Sequence, residues 1–153
     1  MKVKAIVFTL ALCLFSTAVF AANLHMGTWK LNEAKSKFTP GATKNTTVVY
    51  EAAGDDIKVT VDGIDGDGNA THNEWTGKFN GKYFPVTGDP TSDERSYKVV
   101  NSRTMLLTAK KAGKVTLNGR IVVSANGKSR TVTTNGTDAK GKRFRNVAVY
   151  DKQ

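Results

Sequence analysis

Few side chains in this sequence are suited to covalent or metal chemistry. Its two histidines, His25 and His72, lie far apart, and its single cysteine, Cys13, falls near the N-terminus. No Gly-x-Ser-x-Gly elbow presents a serine nucleophile. His72 and Glu74 sit two apart on an expected strand and so point the same way, but nothing nearby completes a zinc set. Strand periodicity also puts them opposite Trp75 and Phe79, in solvent. Asp65-x-Asp67-x-Asn69 begins like an EF-hand loop, yet Ala70 replaces the glycine and Thr76 the glutamate that make its geometry. A glycine-rich hairpin turn is expected there. No catalytic residue, metal site or cofactor is assigned, and a non-enzymatic protein is expected.

The remaining chemistry is recognition. Arg95, Arg130 and Arg145 each stand two residues before an apolar position, Tyr97, Val132 and Val147. Facing inward, they could receive one anionic head group while aliphatic walls take a tail. The plainer account puts Arg95 and Arg130 near strand ends at the solvated rim and Arg145 over Trp29 as a cation-π contact. With the inward aromatics, the expected ligand-binding residues are Trp75, Phe84, Tyr97, Arg95 and Arg130.

The elements that must position them are strands. From residue 22 onward, valine (13) and threonine (17) far outnumber leucine (5), with 14 glycines and 11 asparagines beside them, a sheet-and-turn composition. Turn signals recur every eight to twelve residues between segments of period-two alternation. In one such segment Ile57, Val59 and Val61 share a face and Lys58, Thr60 and Asp62 the other. Ten strands fit, at 26–31, 46–52, 56–64, 70–79, 82–87, 93–100, 103–110, 114–124, 128–137 and 142–150, with one short helical turn at 33–36. Asn80-Gly81 and Asn126-Gly127 read as two-residue hairpin turns. Pro85, which has no amide hydrogen to donate, places the fifth strand at an edge or opening. No connection is long enough for a crossover helix, so the fold expected is all-β, an antiparallel up-and-down meander closed into a barrel of about 8–10 strands. A flattened sandwich is the alternative.

Lys2 and Lys4, the uncharged apolar run 5–20 and the small residues Val19 and Ala21 read as a signal peptide cleaved after Ala21. A membrane anchor is the rival reading, but the apolar run is short of the ~20 residues that span a bilayer. The expectation is a leader over 1–21, one barrel domain over 22–153 and a secreted or periplasmic protein without a transmembrane segment in the mature chain. The mature chain then has no cysteine, so burial and hydrogen bonds alone must hold it.

Gly27-Thr28-Trp29-Lys30-Leu31, opening the first strand ahead of repeated hairpins, resembles the lipocalin and fatty-acid-binding superfamily, the calycins. The resemblance implies a lipocalin-like barrel with a basic residue from the last strand lying across the Trp29 indole, for which Arg143 and Arg145 are the candidates. Tyr150-Asp151-Lys152 looks like the close of a fatty-acid-binding protein. The family's carboxylate-gripping arginine two residues before that tyrosine is here Ala148, and His25 stands where lipocalins carry an apolar or aromatic residue. The longer string continuing to Asn32, with Lys35-Ser36-Lys37-Phe38 beyond it, is similar to exported lipocalin-like bacterial proteins.

Charge is segregated along the chain. Residues 22–94 carry seven basic and eleven acidic side chains, whereas 95–153 carry fourteen basic and two acidic. In a meander the last five strands are adjacent staves, so this excess becomes one basic wall able to attract anionic envelope surfaces. Few aromatics interleave with it, which argues against specific nucleic-acid binding. The function expected is noncovalent binding of a small apolar or amphipathic ligand in the lumen. The rival is an interaction module whose basic wall docks on anionic cell-envelope polymers while Trp75, Phe79, Phe84 and Tyr97 plug the interior.

Overall fold

Alternating β-branched and polar residues separated by short turns leave each strand with one face to bury and two edges to pair. Both demands are met in a computed structural model that describes residues 23–138 and 140–153. The expected leader and its cleavage site lie outside the described residues. Ten antiparallel strands run β1 (Gly27–Leu31), β2 (Lys44–Ala53), β3 (Asp56–Ile64), β4 (Ala70–Gly77), β5 (Asn80–Thr87), β6 (Glu94–Asn101), β7 (Thr104–Lys111), β8 (Lys114–Val123), β9 (Ser129–Thr137) and β10 (Arg143–Lys152). Each pairs with its neighbours in sequence, and β1 pairs with both β2 and β10, which closes the barrel. Closure leaves no free sheet edge among these strands. The helical turn expected after β1 is a 3-10 turn, Glu33–Lys35, capped by the Asn32 side chain.

The alternation carries through to burial. On β3, Val59 and Val61 are buried while Asp62 is exposed, as expected of a half-buried strand. The core gathers Trp29, Val48, Tyr50, Trp75, Tyr97, Met105, Ile121, Val123 and Tyr150 from around the cylinder. β1 is short, and where it ends the irregular segment continues its work. Lys37 exchanges both backbone hydrogen bonds with Val147, and Thr39 N–H donates to the Asn146 side chain.

Two turn expectations resolve differently. The β3–β4 turn is the glycine-rich hairpin anticipated, with the Asp65 carboxylate accepting from the backbone N–H of Asp67 and Asn69. Asn80-Gly81, by contrast, is no hairpin turn. Both residues lie inside β5, where Gly81 (φ +82°) marks a register shift against β6. The chain reverses earlier, at Lys78 and Phe79, because Phe79 is drawn into the aromatic core. β4 and β5 consequently pair at only two positions, Glu74 with Thr87 and Trp75 with Val86. Pro85 follows at the point where this ladder stops, the opening that its missing amide hydrogen predicts. A second shift, between Ala109 and Lys110 on β7, turns Val115 outward, so it is exposed despite its phase with Leu117.

Gly136 on β9 shows how tightly the staves pack. A Cβ there would run into the Thr116 carbonyl oxygen and approach the Phe144 ring at 2.7 Å. Gly136→Ala is therefore expected to cost about 1–3 kcal/mol by overpacking. A urea midpoint unchanged from the parent would contradict this packing.

Candidate functional site

Inward-facing residues do not fill the cylinder evenly. Toward the end that carries the start of β1 and the β4–β5 turn, Tyr50, Trp75, Phe79, Phe84 and Tyr97 form a cluster with ring centroids 4.8–6.3 Å apart, mostly edge to face. The Trp75 indole N–H donates to the Arg95 carbonyl at 2.9 Å, so its one polar atom is satisfied. This end is plugged.

Toward the opposite end the smaller residues Val61, Leu107, Ala109, Val132 and Thr134 face inward and leave a cavity of about 390 Å³. Phe38 and the stretch that follows it, together with the β5–β6 loop, frame its mouth. The size and the mixture of apolar wall with a few polar groups are those of small-molecule sites.

The five residues expected to bind ligand divide across this arrangement. Arg95, Tyr97 and Arg130 line the cavity. Trp75 and Phe84 do not, for they belong to the plug beneath it. Alternation identifies them as inward, but the space they point into is occupied by each other's rings.

The arginines are not at a solvated rim. Arg95 is 8% exposed, and its Nη2 pairs with Asp89 Oδ2 at 2.9 Å. Burial alone would raise the Asp89 pKa, but hydrogen bonds from Ser92 and Thr91 and the Arg95 charge outweigh it and hold the carboxyl below its usual range. Arg130 is 2% exposed and lies deep in the barrel, its guanidinium 4.7 Å from the Trp29 ring centroid, 4.9 Å from Tyr50 and 4.9 Å from Tyr150. The basic group across Trp29 is thus Arg130 of β9, with Lys152 Nζ 5.0 Å from the same ring, and neither Arg143 nor Arg145. Arg145 is exposed on the outer face of β10, whose buried face is that of Asn146, Ala148 and Tyr150, and it lies seven residues from Lys152, the partner of Trp29 across the ladder. Burial pushes the Tyr150 hydroxyl pKa up to about 12 and raises that of Tyr97, so these two phenols are neutral.

His25, passed over in the sequence except as a departure from the lipocalin pattern, is functional in the packing sense. It is 1% exposed, and its carbonyl accepts the Trp29 indole N–H at 2.8 Å. Both ring nitrogens are buried without a hydrogen-bond partner. Burial first, and then the charges of Arg130 and Lys152, lower its pKa to about 4. His72 is a surface residue as expected. It is hydrogen bonded to Asp62 at 2.7 Å, an interaction that raises its pKa, and Glu74 pairs with Lys58 at 2.8 Å. No cluster of three metal-ligating side chains occurs among the described residues.

No protein-family model matches the chain, and no curated protein matches it. Solved structures do share its architecture. EF1p2_mFAP2b bound to DFHBI superposes with a TM-score of 0.53 at 11% identity, covering 87% of this chain and 97% of that one. A redesigned β-barrel, mFAP1, bound to DFHBI, superposes with a TM-score of 0.50 at 15% identity, covering 86% and 98% respectively. At these identities the likeness is one of fold.

The His25 environment has a measurable consequence. The unfolded chain takes up the imidazole proton near pH 6.5 and the folded chain only near pH 4, so stability falls as pH drops through that window and is unaffected above it. His25→Phe keeps the buried volume and removes the proton. Between pH 7 and pH 4.5 its denaturation midpoint should fall less than that of the parent; parallel curves would contradict a neutral buried imidazole.

Proposed function

We propose that the protein is an exported, non-enzymatic carrier of the calycin type, which holds one small apolar or amphipathic molecule in the open half of its barrel. The observation that carries this reading is the cavity of about 390 Å³, walled by aliphatic side chains above an aromatic floor. Barrels of this class are wide enough to hold one small ligand, and both structural neighbours are named as bound to DFHBI. Export rests on the sequence of the first 21 residues.

The basic wall supports a second reading. The staves β6 to β10 are adjacent, and Lys98, Lys111, Lys114, Arg120, Lys128, Arg143 and Arg145 are exposed on or beside them. Such a field suits docking on anionic envelope polymers. The two readings respond differently to salt, which screens a surface field but not an enclosed apolar contact.

Displacement of a neutral solvatochromic dye, Nile red, tests the carrier directly. The protein should enhance and saturate its emission equally well in low and high salt. Thr134→Trp, placed to fill the lumen from β9, should weaken binding by about tenfold or more through steric exclusion while leaving the β-sheet circular dichroism intact. Dye binding that survives this block, or that vanishes on adding salt, would move the function to the outer wall.

A further inference from the structure

The plugged end of the barrel exposes apolar side chains on one hairpin. Val99 and Val100 at the close of β6 and Leu106 at the start of β7 are 40%, 52% and 38% exposed. The turn between the two strands is Ser102 and Arg103. A register shift accounts for the exposure. Val99 pairs with Met105 and Asn101 with Thr104, so Val100 is an extra residue with no partner on β7. Such a bulge bends its strand and re-aims its side chains. Two successive valines thereby reach solvent, where strict alternation would turn one of them inward.

Cations surround this tip. Leu106 lies across the ladders from Lys98 on one side and Arg120 on the other. Arg103 sits in the turn, and Lys82 follows Gly81, where a Cβ would meet the Lys98 stem at 3.3 Å. All four are exposed, and none forms an ion pair among the described residues. The combination limits what can cover the hairpin. A second copy of the chain would set the same positive rim against itself. A hydrophilic polyanion would meet the cations but leave the valines and the leucine in water. An anionic bilayer serves both, because its acyl boundary lies just beneath a plane of phosphates.

We propose that the β6–β7 hairpin docks on an anionic lipid membrane, with Val99, Val100 and Leu106 entering the interface and Lys98, Arg103, Arg120 and Lys82 lying against the lipid phosphates. β6 runs to this turn from the β5–β6 loop that frames the cavity mouth, so the hairpin and the mouth are at opposite ends of the barrel. Docking here keeps the mouth turned to water. The inference is independent of what the lumen holds, and it differs from polymer docking in requiring the apolar tip.

Cosedimentation of the full protein with vesicles at about 0.1 M salt tests it. Vesicles of equal parts phosphatidylglycerol and phosphatidylcholine should bind the protein, and pure phosphatidylcholine should bind it at least about tenfold more weakly. Val100→Asp should weaken binding to the anionic vesicles by about tenfold or more. Val115→Asp makes the same change in charge at a valine 51% exposed near the β7–β8 turn, at the mouth end, and should leave binding within about twofold of the parent. Replacing Lys98 and Arg103 together by Gln should also weaken it by about tenfold or more, at a few-fold per cation. Circular dichroism matching the parent establishes that each variant is folded. No binding to the anionic vesicles would overturn the proposal, as would equal binding to both compositions. A loss in Val115→Asp as large as that in Val100→Asp would also overturn it, reducing the effect to net charge as polymer docking requires. None of these outcomes bears on Nile red binding in the lumen.

Discussion

One guanidinium ties together the four staves at which the chain's ends meet. Arg130 comes from β9 and touches Trp29 on β1, Tyr50 on β2 and Tyr150 on β10. The backbone joint at this place is short. β1 has five residues and pairs with β10 at three positions and with β2 at four. A ladder so brief contributes little by itself, and closing it joins strands at opposite ends of the sequence, with the loop-closure cost that entails. The aromatic and cationic contacts around Arg130 add a side-chain clasp to the backbone one. The Trp29 indole completes it by donating to the His25 carbonyl, which fixes the segment leading into β1.

That arrangement divides the interior into regions of different character. Below, large rings pack edge to face and leave no room for a guest. Above, valine, leucine, alanine and threonine line the same cylinder and leave space, because short side chains from facing staves cannot meet across it. The polar groups follow the same division. The Arg95–Asp89 pair is complete in itself and fixes the β5–β6 loop through Thr91 and Ser92. Arg130 is held by rings alone. The side chain that clasps the closing strands also lines the cavity, so barrel closure and the cavity floor share a residue.

Much of the fold was legible because strand alternation is a local property. All ten strands, their antiparallel order, the inward face of β3 and that of β8 from Leu117 to Val123 follow from period-two patterns broken by turn residues, and Pro85 correctly marks a lapse in pairing. What escaped depends on register. Alternation says that Arg95, Arg130 and Trp75 point inward but not at what height along the barrel, and height decides whether an inward residue meets ring, cavity or solvent. Arg145 was expected over Trp29 by its phase with Val147, yet the buried face of β10 is that of Asn146, Ala148 and Tyr150, and Trp29 pairs with Lys152 at the other end of the strand. Asn80-Gly81 carried a strong hairpin signature that tertiary packing overrode, since Phe79 gains more by entering the aromatic cluster than the chain gains from an ideal turn. Bulges such as the one that exposes Val115 have no clear local signature. His25 was visible as an oddity of the sequence, but its burial came only with the strand that brings Arg130 and Lys152 around it.

The brief β4–β5 joint gives the wall an uneven construction. Along β2–β4 and β6–β10 long runs of backbone hydrogen bonds form the barrier between inside and out, but past Trp75 and Val86 that barrier lapses. There Phe79 and Phe84 flank Trp75, at 6.3 and 5.7 Å between ring centres. Along this stretch the interior is kept dry by hydrocarbon instead of amides, so the aromatic plug serves as masonry for the wall as well as filling for the core.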